Sequence, residues 1–359
     1  MTRHQVFLVH GMGDFNDRWS AEIQKLLKEA YESYEGTSHS PFDDLFEFRE
    51  INYNKFFEER REAWKNKTEE INLLLKSNGF SDKAAEKLMN LAGQTEGDDF
   101  FRTHVLDVIM YRYMPQVAEQ IRRDIQLQIL EALDEFPENQ SVKWSIVAHS
   151  LGTSVVHDTL HAVFTHRVND KLLSRSDRLS VLLMVANVSR LLWNDVDFYG
   201  TAVRPNPLPS KGICKRYLNA QHALDPFPRV KPFNKPADKW LDENARLEKS
   251  YTHIQIPKVE VTDWNVHGFA HYLANPRVHV PLFRSLLFDS AISGSEKTEK
   301  QKEYKQSFLS ENVTQRVIEE LNAVKPGARD DWEQLTESIT TFRNIVLGKG
   351  IAASEGEGR

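Results

Sequence analysis

Residues 144–152 read Trp144-Ser-Ile-Val-Ala-His-Ser-Leu-Gly152. The apolar run predicts a strand over 142–149, and apolar residues at helical spacing predict a helix over 151–164. Ser150 stands at the junction, with Ala148 two residues before it and Gly152 two residues after it. Small residues there let a strand and a helix approach closely at a strained turn that exposes the central side chain. The segment therefore predicts a strand–turn–helix unit with Ser150 at the bend.

The same alternation of apolar strands and helices continues on both sides of this unit. Continuous apolar runs suit strands that are buried on both faces of a parallel sheet. We therefore predict an α/β fold with a mostly parallel sheet and helices on both faces. Predicted strands cover 5–10, 43–53, 142–149, 179–188, 215–221 and 259–264, and the clearest helices cover 19–35 and 115–136.

Composition changes along the chain predict its organisation. Residues 1–290 form the α/β domain, and the charged, helical stretch at about 54–114 is an inserted cap. The Pro- and Lys-rich stretch 226–236 is predicted to be a surface loop. Polar residues 291–350 form a C-terminal helical extension, which either packs back onto the domain or mediates self-association, and 351–359 a disordered tail. Aromatic residues of the cap either pack it onto the body or contact an apolar part of a substrate: Phe56, Phe57, Phe100, Phe101, Tyr111 and Tyr113.

The bulk composition excludes several classes of function. The 359 residues carry a formal net charge of −6, which argues against nucleic acid or anionic membranes as partners. A single cysteine, Cys214, rules out a disulfide framework within the chain. The longest mostly apolar run, 181–188, is too short for a membrane span, and the first residues lack a signal-peptide pattern. We expect a cytoplasmic protein without an integral membrane segment; its oligomeric state stays open.

Ser150 is the candidate nucleophile of the chain. At the predicted bend its hydroxyl points away from the sheet, and the helix that begins at Leu151 directs its positive end towards a developing oxyanion. The competing interpretation is that Ser150 only caps this helix, because serine is a favoured N-cap residue. His149 is expected to pack beside the nucleophile.

The turn after the first strand is the candidate oxyanion hole. It reads His10-Gly11-Met12-Gly13, and the two glycines let the backbone turn inwards. A tetrahedral intermediate needs two N–H donors on one oxygen, which we assign to Met12 and Leu151. A dinucleotide-binding turn is the alternative, but the third glycine of that motif is missing, since residue 16 is Asn.

The remaining candidates supply an acid and a base. In this type of site the order along the chain is Ser, then Asp or Glu, then His. Asp225 precedes a proline after a predicted strand and is our choice of acid, although it could be an ordinary Asp-Pro turn; Asp195 and Asp197 are the alternatives. His267, in a loop after the last predicted strand, is our choice of base over His271.

A metal site is not expected. His157 and His161 have the i, i+4 spacing of a zinc-binding helix, but residue 158 is Asp where a zinc-protease motif requires Glu.

These motifs resemble the α/β-hydrolase superfamily, in particular its esterase and lipase-like members, over residues 4–290. The resemblance depends on 10–13, 148–152, 225–226, and His267 followed by 272–276, with Ala148 where the pattern expects glycine. It implies an eight-stranded, mostly parallel sheet, a Ser–Asp–His triad, an acyl-enzyme intermediate, no cofactor and a small-molecule ester or acyl substrate. Carboxylic ester hydrolysis is the main hypothesis. A thioesterase or amidase, or a catalytically silent binding protein, is the alternative.

Overall fold

The structure is a computed structural model of the chain. It describes residues 3–13, 15–64, 67–78, 80–82, 85–86, 89, 99–137, 142–166, 179–193, 197–206, 212–234, 250–323, 334–335, 337–338 and 340–342.

The described residues form a six-stranded sheet in which every neighbouring pair is parallel, in the order β2-β1-β3-β4-β5-β6. The α/β class is therefore confirmed. Two fewer strands are present in this part of the chain than the resemblance implies. The strands are β1 (His4–Val9), β2 (Phe46–Ile51), β3 (Trp144–His149), β4 (Leu179–Val185), β5 (Cys214–His222) and β6 (Tyr251–Ile256).

Side chains of the central strands alternate between two hydrophobic cores. In β1, Phe7 and Val9 enter one core, while Val6 and Leu8 enter the other. This period of two explains why the strands are apolar throughout, because both faces of the sheet are buried.

Helices cover both faces of the sheet. The first core receives side chains from α3 (Asn54–Trp64), α4 (Thr68–Ser77), α5 (Asp99–Tyr113), α6 (Pro115–Asp134) and α7 (Leu151–His166). The second core receives side chains from α1 (Ala21–Glu32), α2 (Phe42–Leu45), α10 (Phe269–Ala274) and α11 (Pro276–Leu286). Three short or peripheral helices are α8 (Ser189–Leu192), α9 (Pro226–Val230) and α12 (Gly294–Tyr304), and α13 (Glu311–Ala323) packs on the first core.

The strand order reverses at β1, which lies between β2 and β3. The helices that follow β1 and β3 pack on opposite faces, so a crevice opens between the carboxyl ends of these two strands. Ligands of open α/β sheets bind at such a switch point. Ser150 and the turn at 10–13 both lie there.

The predicted strand at 259–264 is wrong. The last strand is β6, and residues 257–264 form turns without strand pairing. Pro257 follows β6 directly and cannot donate a ladder hydrogen bond, so the strand ends before it. The segment Tyr251–Ile256 alternates between buried and exposed residues, as expected for an edge strand with one solvent-exposed face.

The predicted surface loop at 226–236 is wrong over its first five residues, whereas residues 231–234 form no helix or strand. Residues Pro226–Val230 form the short helix α9, with Pro226, Phe227 and Pro228 buried. A proline at the first helical position is already set in the required conformation, and Asp225 caps the helix. Residues 235–236 lie outside the described residues.

The division into domains and the cap stay predictions. Helices α3 to α5 occupy part of the predicted cap, and Phe57 and Tyr111 of this region are buried in the first core. The side chains of Phe100 and Phe101 lie outside the described residues, as does the predicted tail. In the C-terminal extension, Leu321 and Phe342 join the first core, so its described part packs back onto the body.

No helix in the described ranges has the length and hydropathy that crossing a bilayer requires.

Candidate active site

Ser150 occupies a strained bend between β3 and α7. Its φ is 53°, in the left-handed region that a side chain makes unfavourable. The bend is held from both sides: Ser150 N–H donates to the carbonyl of Val185 at 3.0 Å, and the hydroxyl of Thr153 donates to the carbonyl of Ser150 at 2.6 Å. At Gly152, a Cβ atom would lie 2.2 Å from the carbonyl oxygen of His10. The predicted strand–turn–helix unit with a small residue at 152 is present.

The structure brings Ser150, His267 and Asp225 together in one hydrogen-bonded chain. Nε2 of His267 lies 2.7 Å from Ser150 Oγ, and Nδ1 lies 2.9 and 3.0 Å from the two carboxylate oxygens of Asp225. A carboxylate only accepts, so Nδ1 carries the proton and Nε2 is left to accept the serine hydroxyl proton. All three side chains are buried.

The carboxylate of Asp225 is itself held in place. Oδ1 accepts from the backbone N–H of Phe227 at 3.1 Å, because Asp225 is the N-cap of α9. Oδ2 accepts from the hydroxyl of Tyr272 at 2.7 Å, and that hydroxyl accepts from His222 N–H at 2.8 Å. Burial, and then the charge of Asp225, raises the pKa of Tyr272 well above its usual value, so the phenol stays a donor.

The alternative candidates lie elsewhere. His271 is hydrogen-bonded through Nδ1 to Thr262 Oγ1 at 3.0 Å, and its ring packs on His222. Burial lowers the pKa of His271. Asp197 accepts from Gly200 N–H and caps a short 3₁₀ turn, and Asp195 lies outside the described residues. Of the two candidate bases, the one at hydrogen-bond distance from Ser150 is His267.

The turn after β1 lies against Ser150, the candidate nucleophile. A Cβ atom on Gly11 would lie 2.8 Å from Ser150 Cβ, so the close approach requires glycine. Gly13 has a φ of 120°, which L side chains rarely adopt. Within the described part of the chain, the N–H groups of Met12 and Leu151 have no hydrogen-bond acceptor. Neither predicted donor is therefore occupied by a described residue.

The side chain of His10 stabilises this turn. Its Nδ1–H donates to the carbonyl of Gly11 at 2.9 Å, and its ring is stacked between Phe15 and Tyr53, with centroids 4.2 and 4.1 Å away. Burial lowers the pKa of His10 to about 4, so the ring is neutral at physiological pH. The Tyr53 hydroxyl donates to the carbonyl of His10 at 2.8 Å and contacts that of Gly11 at 3.1 Å.

An open cleft of about 200 Å³ reaches Ser150 and His267 between α1 and α10. Its wall is largely apolar, with one acid, Glu22, in the first turn of α1. The wall includes Met12, Phe15, Trp19, Ile23 and Phe269. Of the two interpretations of the cap aromatics, packing onto the body holds for two of them. Phe57 packs edge-on against Tyr53 in the core, and Tyr111 is buried there and donates to Asp158 at 2.7 Å.

The C-terminal extension reaches the site. Phe342 is buried, and its ring centroid lies 6.1 Å from that of His267 and 5.5 Å from that of Phe227. Phe227 in turn packs on the imidazole at 4.3 Å. Two aromatic rings from different parts of the chain therefore confine the His267 ring.

His157 and His161, the two histidines at zinc-binding spacing, have other hydrogen-bond partners. Nε2 of His157 lies 3.1 Å from Thr201 Oγ1, and Nδ1 of His161 accepts from the N–H of Ala202. Across the described residues, no group of three or more His, Cys, Asp or Glu side chains has a metal-binding arrangement.

Three residues near the site have roles that sequence reasoning missed: Tyr272, Tyr53 and Asp107. Asp107 accepts from Gly13 N–H at 3.1 Å. A signal existed for Asp107, because it is the one acid in the apolar run Val105-Leu-Asp-Val-Ile-Met110. No local signal marks the two tyrosines, since a tyrosine in an apolar stretch is as often an ordinary core residue.

Comparisons with known proteins leave the family open. No family model matches the chain, and no curated protein matches it. Among solved structures, an uncharacterized protein from Pseudomonas aeruginosa aligns with 100% of this chain at 12% identity and a TM-score of 0.31. This chain spans 55% of that protein's length. The likeness is too weak to carry an argument about fold or function.

Proposed function

We propose that this chain is a serine hydrolase of the α/β-hydrolase type that cleaves a carboxylic ester. One observation carries the proposal: the hydrogen-bonded chain from Asp225 through His267 to the hydroxyl of Ser150, at 2.9 and 2.7 Å. A serine acts as a nucleophile when an adjacent base takes its proton and a third group orients that base. The left-handed bend at Ser150 and the crevice at the switch point support the same assignment.

The reaction would follow from this geometry. Ser150 Oγ attacks the ester carbonyl while its proton passes to His267 Nε2, and Asp225 stabilises the imidazolium. The N–H groups of Met12 and Leu151 bind the oxyanion of the tetrahedral intermediate. As the C–O bond breaks, His267 returns the proton to the leaving alcohol. Water then attacks the acyl-enzyme by the same steps, releasing the acid and restoring Ser150.

The walls of the cleft support an ester with an apolar portion. Aromatic and aliphatic side chains line it, whereas polar groups converge at the Ser150 end. Thioesters and amides would react through the same steps, so the reacting bond is a matter for measurement. The single, buried cysteine fits a cytoplasmic location, where disulfides are rare.

A fluorophosphonate probe tests the nucleophile. We expect the wild-type protein to be labelled stoichiometrically and Ser150→Ala not to be labelled. Ser154→Ala is the matched control, because Ser154 is buried one turn further along α7 and its hydroxyl has no partner in the described structure. An unlabelled wild-type protein, or equal labelling of Ser150→Ala, would exclude the proposal and favour a silent binding protein.

A substrate panel then tests the reacting bond. Hydrolysis of p-nitrophenyl esters of increasing acyl length should show an initial burst of p-nitrophenol close to one equivalent per enzyme if an acyl-enzyme accumulates. The preferred acyl group is then offered as a thioester and as an anilide. A higher kcat/KM for either of these would replace the ester assignment.

A further inference from the structure

A buried ion pair links helices α3 and α5, which belong to the segment between β2 and β3 that we call the helical insert. The pair is also hydrogen-bonded to the turn after β1, beside Ser150. Nη1 of Arg61 in α3 lies 2.6 Å from Oδ1 of Asp107 in α5, and the two side chains are only 6% and 1% exposed. The other carboxylate oxygen of Asp107 accepts the backbone N–H of Gly13 at 3.1 Å. One carboxylate thus joins the insert to the turn after β1.

Such a pair is not explained by stability alone. Burying two charges carries a large desolvation cost, and well-packed apolar residues in their place are often equally stable or more so. Arg61 also donates to Asn54 Oδ1 at 3.2 Å, so the guanidinium is fixed within the insert. The rigid arginine in turn orients Asp107 towards Gly13.

The bond to Gly13 limits the orientation of the neighbouring peptide units. The Gly11 carbonyl accepts from His10 Nδ1 and contacts the Tyr53 hydroxyl, which fixes the peptide that carries the Met12 N–H. In a trans peptide the N–H points away from the carbonyl. Asp107 fixes the next peptide unit through its own N–H. The Met12 N–H is thus held between two anchored groups, while Gly13 N–H is occupied.

We propose that Asp107, oriented by Arg61, is a positioning residue that presents the Met12 N–H to the oxyanion. This inference rests on the proposed function. Oxyanion donors act mainly by being fixed in advance where charge develops, so a loosened turn lowers kcat more than it weakens substrate binding. The insert thereby contributes to the chemistry as well as to the core.

Two double variants separate this role from simple stability. Arg61→Met with Asp107→Leu removes both charges and the acceptor of Gly13 N–H. Arg61→Met with Asp107→Asn removes the same charges but keeps an amide oxygen of similar shape for Gly13. Each removes both members of this pair together, so neither leaves Arg61 or Asp107 buried without the other, and both are expected to fold. Circular dichroism melting curves check this.

We expect the Leu variant to lose about 10- to 100-fold in kcat, with KM changed less than about threefold. Its affinity for a trifluoromethyl ketone, which forms an oxyanion on Ser150, should fall by a similar factor. The Asn variant, which keeps an acceptor for Gly13 N–H, should retain at least about tenfold more kcat and inhibitor affinity than the Leu variant. Equal kcat in the two double variants, or a loss confined to KM, would overturn the inference.

Hydrogen exchange gives a readout that does not depend on activity. The Gly13 amide should be protected in the wild-type protein and in the Asn variant and exchange at least tenfold faster in the Leu variant. Equal protection in all three would contradict the anchoring role. Failure of fluorophosphonate labelling in the wild-type protein would overturn the proposed function and with it the catalytic part of this inference.

Discussion

Nε2 of His149 lies 2.6 Å from the carbonyl oxygen of His267. The carbonyl only accepts, so His149 is the donor. The residue before Ser150 therefore holds the backbone of His267, the proposed base, and its ring also stacks on Phe269 with ring centroids 4.9 Å apart. This contact ties the end of β3 to the loop that carries His267.

We expect His149→Phe to lower kcat about tenfold with KM nearly unchanged, because the ring can still stack on Phe269 while the His267 backbone loses its donor. His149→Gln keeps an N–H donor and should lose less. Steady-state kinetics on a p-nitrophenyl ester measures both. Identical kcat values for the Phe and Gln variants would show that the hydrogen bond is not important.

Asp225→Asn should reduce kcat by about 10³- to 10⁴-fold. The amide N–H₂ can face Nδ1 of His267, which then favours the tautomer that cannot accept the Ser150 proton. Tyr272→Phe removes one donor to Asp225 and should cost about tenfold, leaving Phe227 N–H in place. If Asp225→Asn retained more than a tenth of wild-type kcat, Asp225 would not be the orienting carboxylate.

The strained bend predicts an unusual order of stability at position 150. Ser150→Gly should be more stable than Ser150→Ala by about 1 kcal/mol, because glycine relieves the positive φ. At Ser154, inside α7, the order should reverse, since glycine destabilises an ordinary helix by about 1 kcal/mol relative to alanine. Urea unfolding of the four variants gives the comparison, and the same order at both positions would argue against a strained bend.

Buried histidines predict a loss of stability in mild acid. Burial lowers the pKa of His4, His10, His222 and His279 from 6.5 to about 4. Between pH 6.5 and 4 the unfolded chain therefore binds protons that the folded chain does not. As the pH is lowered through this window, the free energy of unfolding should decrease by at most about 1.4 kcal/mol per pH unit for each histidine. Above pH 7 these histidines should not change it.

Urea midpoints at pH 7, 6 and 5 measure this decline. His279→Gln is the matched variant, because glutamine can replace both hydrogen bonds of His279, to Tyr34 and to the Leu273 carbonyl, without titrating. Its decline between pH 6.5 and 5 should be shallower than that of the wild-type protein. Equal slopes would mean that His279 takes up its proton over the same pH range in the folded and the unfolded chain.

The local pattern of residues was sufficient to predict the α/β class, the bend at Ser150 and the glycine turn after β1. Each of these depends on neighbours in the chain: side-chain period, small residues beside a bend, and glycine where the backbone turns inwards. The ends of strands and the fate of the segment after Asp225 were less certain, because a proline can end a strand or begin a helix. Pro257 does the first and Pro226 the second.

Partners that are distant in the chain could not be chosen from such patterns. Ser150 and His267 are 117 residues apart, and tertiary contacts, among them the packing of α10 against α1, set which imidazole, His267 or His271, meets the hydroxyl. Gly13 and Asp107 are 94 residues apart, and nothing local relates them. Hydrogen bonds of this kind require atoms within about 3 Å, a condition that the folding of the whole chain satisfies.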